Sequence, residues 1–404
     1  MITPSDFGAF GDGIHDDSAA LQAWLNAGVS YKQVLYLKSV PVYYLINTPL
    51  NLTNISQLLI RGDGAYPCSN RITPSGGSIL AGNTGTGKPI IDATGASGLK
   101  LQDITLASIG LPNPSTIGTI HGTSSVVPNG GACCAYDDVS ILLPQTGASI
   151  GVYGVSANLM ASRGLRIMSD RCLYLSDINT LGVVPPCGTF GPNIQSDGAH
   201  FDALSCFGYG GVVPFVLNKV GSHTYDQLYI CNINGGSNYT GEPYAMEING
   251  ATDVRIKVEI DYFPSAVHQL GTWRDVNLDG IIYQWTTPMP PYQPSIAGLN
   301  GDAIYGGRFA IRGISAVPEA NASYGTASSS PTLGAIQGTE FVFDTSISPQ
   351  VCFFDFGGSN LVPLFNVAFN GNTDGPPLVF QQNGVPLVQS QFRAWVNGIR
   401  TGTA

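Results

Sequence analysis

The chain has 404 residues, of which 43% are hydrophobic, 10% aromatic and only 11% charged, with 51 glycines. That length suffices for a large buried core, and the glycine and aromatic content reads as turn-rich β structure, not as a helical or disordered chain. Seventeen Lys and Arg against 27 Asp and Glu leave a formal charge of −10 with no basic run, which excludes nucleic acid held through phosphate neutralisation. No apolar run is long enough for membrane insertion.

The first element in chain order is a glycine-punctuated turn, Asp6-Phe7-Gly8-Ala9-Phe10-Gly11-Asp12-Gly13, leading into Asp16-Asp17-Ser18-Ala19-Ala20-Leu21-Gln22-Ala23-Trp24-Leu25. Asp16 reads as the N-cap of a helix, Asp17 as first-turn negative charge, and Ala20, Leu21, Trp24 and Leu25 as one apolar stripe. A single helix with one apolar face before an all-β chain suits a lid on an open stack of strands. The glycine-rich turn lacks a preceding strand and a Gly-Lys-Ser/Thr ending, so it is not a phosphate loop, and its aspartates lack calcium-loop spacing.

This opening resembles the pectate-lyase-like right-handed parallel β-helix proteins, in particular phage tailspikes and polysaccharide depolymerases. The resemblance runs on through Val34-Leu35-Tyr36-Leu37, Tyr43-Tyr44-Leu45-Ile46 and Leu58-Leu59-Ile60-Arg61-Gly62-Asp63-Gly64, and departs from the family at Lys38-Ser39-Val40-Pro41, where many relatives carry a Pro-Gly turn. It implies an all-β, single-stranded right-handed parallel β-helix with an N-terminal capping helix. It also implies a homotrimeric virion spike whose partner is a bacterial capsule, exopolysaccharide or lipopolysaccharide. Synthesis in the cytoplasm without a signal peptide is expected, and no cofactor or metal is expected.

Downstream, an aspartate repeatedly precedes an alternating apolar strand, at Asp103, Asp138, Asp202, Asp226, Asp253 and Asp275. From Asp202 onward the spacing is about one coil of a β-helix. Alternation places Leu228, Ile230, Val254, Ile256, Val258, Val276 and Leu278 inside. The recurrent aspartates read as turn devices accepting backbone N–H groups. Residues 1–65 are expected to form the cap and first coil, and 66–317 the β-helix body. After a Ser/Ala/Pro-rich connector, 332–404 are expected to form a C-terminal β module, for which the resemblance implies trimerisation or glycan binding. Cys206 and Cys231 fall in apolar strand patterns and read as small buried hydrophobes.

Glycosidic hydrolysis needs two carboxyl groups flanking the bond. The best local set is Arg255-Ile256-Lys257-Val258-Glu259-Ile260-Asp261-Tyr262-Phe263, whose odd-numbered residues through Asp261 point outward. Glu259 and Asp261 are the expected acid and base or nucleophile, with Glu247 in reserve. Lys257, Arg255, Tyr229 and Asp279 are the expected substrate contacts, and Tyr262, Trp273 and Trp285 the expected stacking faces, with Phe263 and Tyr283 beside them. Asp170, Asp177 and Asp197 form a second candidate group. Arg255-Ile256-Lys257 matches part of a polygalacturonase signature, but the N-T-D and G-H-G parts are missing. A lyase using Lys257 or Tyr229 as base, and a glycan-binding spike without catalysis, are the alternatives.

Overall fold

The computed structural model describes residues 2–31, 34–65, 77–127, 131–191, 196–234, 244–263 and 265–284, and farther on strand segments between 296 and 396; past residue 263, side chains are described at 267–268, 271–280 and 307–308. The chain is a right-handed parallel β-helix entered through a helical cap. It divides into two compact units, Met1–Tyr209 and Gly210–Ala404.

The cap helix runs Ser18–Tyr31 and buries Leu21, Trp24 and Leu25. The N-cap falls one residue later than expected. Asp17, not Asp16, precedes the helix, and its carbonyl accepts the first helical bond, from the Leu21 N–H at 2.9 Å. The Asp17 carboxylate turns back instead, accepting the N–H groups of Phe10 at 2.6 Å, Gly11 at 3.1 Å and Leu45 at 3.3 Å. Asp16 accepts the Ser18 N–H at 3.0 Å. Gly11 must be glycine there: its φ is +64°, and a Cβ would lie 2.5 Å from Val40.

In the first unit each coil contributes three short strands, and parallel registers stack like residues. Leu35, Ile60, Leu101, Tyr136, Ser162 and Phe201 form one ladder, and Leu80, Leu106, Ile141, Ile167 and Cys206 another. All of them are buried. The corners also stack: Gln57, Gly98, Cys133, Leu159 and Gly198 share one left-handed corner, and Asp103, Asp138, Gly164 and Ala203 another. The recurrent aspartates do mark turns, but through backbone shape. Asp103 and Asp138 tolerate the left-handed conformation, and their carboxylates lie beside Arg61 and Arg166. At Asp202 and Asp226 the left-handed residue is the following one, Ala203 or Gln227.

In the second unit the strands run through such corners. Tyr244–Asp261 pairs with Phe215–Gly221 by its first half and with Thr224–Asn232 by its second, bending at Gly250 and Asp253, both at positive φ. Ser265–Gln284 stacks on its whole length. Leu228, Ile230, Val254, Ile256, Val258, Val276 and Leu278 are all buried, as period-two alternation predicts. The parallel ladder continues past the connector: Ala303 pairs with Ala335, and Arg308 with Glu340 and onward to Ala368. The Cys352–Asp355, Val379–Gln382 and Val385–Pro386 strands form a separate three-stranded sheet. Within the connector, Thr326–Ser328 pairs with Ile296–Gly298, and the rest of it lies outside the described residues.

Candidate functional site

The outward face of three successive rungs in the second unit gathers the chemistry. Alternation leaves Arg255, Lys257, Glu259 and Asp261 outward on Tyr244–Asp261. Successive outward residues on one strand lie about 6.5–7 Å apart. Register sets Arg255 between Thr224 and Asn277, Lys257 beside Asp279, and Glu259 between Tyr229 and Ile281. Asn277 in turn faces Arg308 on the next rung.

One displacement was not foreseen. On Thr224–Asn232, Asp226 and Gln227 together oppose the single residue Lys257, a bulge created by the left-handed Gln227. Tyr229 therefore slides one step, from opposite Ile260 to opposite Glu259. Asp226 takes the place beside Lys257, with its Oδ1 2.9 Å from Lys257 Nζ. That hydrogen bond and the Asp226 charge raise the Lys257 pKa. Asp226 looked like one more turn aspartate; the surplus residue between Tyr225 and Leu228 was the only sequence signal of its different role.

Thr224, Asp226, Arg255, Lys257, Asn277, Asp279 and Arg308 line a surface groove of about 270 Å³. Glu259 and Asp261 follow directly along the same outward edge. Tyr229 Oη donates to Asp261 Oδ2 at 2.6 Å. Burial, reinforced by this bond, pushes the Tyr229 phenol well above its ordinary pKa. Glu259 is exposed and Asp261 half-buried.

Glu247 is not part of this constellation. It lies on the other side of the Gly250 and Asp253 bends, where its Oε2 is 3.3 Å from His268 Nδ1 and the Tyr244 ring stacks on His268 at 4.7 Å. Trp273 is not a sugar platform either: it is fully buried, and its Nε1 donates to the Ile248 carbonyl at 3.0 Å. Phe263 is buried as well, while Tyr262 is part-exposed at a left-handed corner. Trp285 lies outside the described residues, as does the side chain of Tyr283.

The second candidate group is dispersed. Asp170 is buried at the start of the Arg171–Ser176 strand and Asp177 follows its end, so a full strand separates them. Asp170 Oδ2 accepts the Thr146 and Ser149 N–H groups, each at 2.9 Å, and the Ser149 hydroxyl at 2.8 Å, which stitches a corner. Asp197 is exposed on the short Ser196–Asp197 strand; partial burial raises its pKa. Among the described residues, no group of three or more His, Cys, Asp or Glu side chains is arranged to hold a metal ion.

No protein-family model and no curated protein sequence matches the chain. Solved structures do match its fold. Full-length tailspike protein 2 of an Escherichia coli O157:H7 bacteriophage aligns over 99% of this chain and 47% of its own, at 13% identity and a TM-score of 0.60. The gp42 tailspike of Acinetobacter phage vb_AbaP_AS12 aligns over 100% of this chain and 66% of its own, at 14% identity and a TM-score of 0.56. A mutant DFA-IIIase from Arthrobacter chlorophenolicus A6, solved in complex with DFA-III, aligns over 99% of both chains at 10% identity and a TM-score of 0.55. The chain thus has the pectate-lyase-like parallel β-helix fold that phage tailspikes share, and spans about half the length of the tailspike protein 2 that it matches.

Proposed function

We propose that this chain is a tailspike-type module that binds a bacterial surface polysaccharide and depolymerises it by glycosidic hydrolysis, within a homotrimeric spike on a phage virion. The reading is carried by an open polar groove, laid across consecutive rungs of this fold, that runs into two outward carboxyl groups, Glu259 and Asp261. Two residues apart on one strand, these groups are spaced to flank a glycosidic bond. The Tyr229 hydroxyl orients Asp261 as the carboxylate that activates water or attacks the anomeric carbon. Glu259, exposed beside it, hands a proton to the leaving oxygen. Lys257 and Arg255 contact the chain of sugars leading to that point.

A lyase is less well supported. Its expected bases, Tyr229 and Lys257, are both pushed toward their protonated forms, one by burial and the bond to Asp261, the other by Asp226.

The test is incubation with capsules, exopolysaccharides and lipopolysaccharides of candidate hosts, followed by mass spectrometry of the fragments. Hydrolysis yields shortened, saturated oligosaccharides, and both Glu259→Gln and Asp261→Asn lose about 10²–10⁴-fold in kcat with unchanged melting temperature. Unsaturated, ultraviolet-absorbing products would establish a lyase. Binding without shortening would establish an adhesin.

A further inference from the structure

One interior corner of the first unit matches small residues against large ones. The strands Ile117–Gly122, Ile150–Val155 and Arg171–Ser176 lie on successive coils, and their register sets Gly118, Gly151 and Cys172 in one column. The strands Ser140–Leu142, Arg166–Ser169 and Ser205–Gly208 set Ile141, Ile167 and Cys206 in a second column. Each residue of the first column faces the residue of the second that lies one coil farther on. A Cβ placed on Gly118 would lie 2.6 Å from the Ile141 side chain, and one placed on Gly151 would lie 3.4 Å from the Ile167 Cβ. Glycine stands at those two rungs because isoleucine fills the space.

On the third rung both columns change at once: Cys172 follows the glycines and Cys206 follows the isoleucines. Cys172 Sγ lies 3.5 Å from the carbonyl oxygen of Ile167, the residue that pairs with Cys206. Both cysteines are fully buried and both are free thiols. Burial, with the Cys172 thiol beside it, raises the Cys206 pKa well above its ordinary value. A disulfide joins Cβ atoms about 3.5–4.5 Å apart, and this corner holds facing side chains at that spacing.

We propose that Cys172 and Cys206 are a disulfide-forming pair, which a small-molecule disulfide such as oxidised glutathione converts into a covalent staple between successive coils. One cysteine thiolate attacks a glutathione sulfur, forming a mixed disulfide and releasing one glutathione. The second cysteine thiolate attacks the mixed disulfide and releases the other. The two cysteine protons end on the two released glutathione thiols, so a pair of protein thiols is oxidised and one external disulfide is reduced. Only a thiolate attacks, so the buried Cys206 thiol is inert in the closed coil and the bond forms when the coil opens. The closed loop, 172–206, includes the segment whose Cys187 N–H donates to Asp92 at 3.0 Å.

The test uses the full chain, purified under reducing conditions and then held with oxidised glutathione in urea below its unfolding midpoint, where local opening exposes the coil. Remaining thiols are blocked with N-ethylmaleimide under denaturing conditions, and the unreduced digest is read by mass spectrometry. The expected result is a linked pair of peptides carrying Cys172 and Cys206. The thermal midpoint rises by several degrees over that of the reduced chain, and dithiothreitol reverses the rise. Cys172→Ser and Cys206→Ser each lose it. So does the double variant Cys172→Gly with Cys206→Ile, which repeats the glycine–isoleucine pair of the preceding rungs and keeps the corner filled should a serine variant fail to fold. Both thiols found blocked by N-ethylmaleimide overturns the proposal. A bond from either cysteine to another, such as Cys187, also overturns it, as does a Cys172–Cys206 bond that leaves the midpoint unchanged.

Discussion

Two sets of strands, one in each unit, present their outward sides on opposite plans. In the first unit, Pro89–Thr94, Ile117–Gly122 and Ile150–Val155 are buried at every position, on both faces. The segment from 177 to 191 explains it by folding back across them. Cys187 N–H donates to Asp92 at 3.0 Å, Gly191 N–H to the Thr123 carbonyl at 3.1 Å, and Phe190 packs edge-on against Tyr153. In the second unit, Tyr244–Asp261 alternates buried and exposed from Val254 to Val258, with charged side chains on the exposed positions. The same rung architecture becomes a sealed wall where a loop covers it and a polar groove where, among the described residues, none does. A polymer needs the second arrangement.

The largest effect on stability is expected at the cap. Trp24 is fully buried and its Nε1 donates to the Ile2 carbonyl at 3.1 Å. Trp24→Ala removes a large side chain from a packed site and costs about 3–5 kcal/mol, measured by urea unfolding. Next comes acid sensitivity. His121 lies inside the first unit against Tyr136, which also meets Thr119 at 2.6 Å; burial holds the imidazole down to about 4 from an ordinary 6.5. The folded state excludes a proton that the unfolded chain accepts. Stability from this group is therefore complete above pH 6.5, falls as pH drops toward 4 and then levels, a loss of about 3 kcal/mol. His121→Leu flattens that limb when unfolding is followed across the range.

Smaller effects sharpen the contrast between wall and groove. Asp92 accepts from Thr94 N–H at 3.0 Å and Oγ1 at 2.7 Å as well as from Cys187. Asp92→Ala strands buried donors at a cost of about 1–3 kcal/mol, and amide exchange should accelerate first in residues 178–191. The smallest change is expected in the groove: Asp226→Asn removes a pair with the exposed Lys257 and leaves the urea-unfolding midpoint nearly unchanged. If Asp226→Asn proved as damaging as Asp92→Ala, the distinction between an open groove and a covered wall would fail.

Much of this was legible in the linear chain. The cap, the coil repeat and every inward residue nominated from Leu228 to Leu278 follow from local rules, because a strand's side chains must alternate and a stack must bury one side. The same rule oriented Arg255, Lys257, Glu259 and Asp261 outward. It misled where an aromatic residue was read as a sugar platform: Trp273 lies on an inward step, and burial with a hydrogen-bonded indole serves it better. Asp170 and Asp177 are seven residues apart in sequence, yet strand geometry holds them at opposite ends of a rung.

Alternation and turn chemistry are properties of neighbouring residues, so the amino-acid order alone determined the parallel coil, its lid and which side chains face out. Whether an outward side chain meets solvent, a covering loop or a partner on the next rung depends on register between segments some 20 to 95 residues apart. One left-handed residue, Gln227, shifts a strand by a position, and that single step left Asp226 and Gln227 together opposite Lys257 and set Tyr229 opposite Glu259 in place of Ile260. Such an offset arises from hydrogen bonding between coils, and only the tertiary structure decides it.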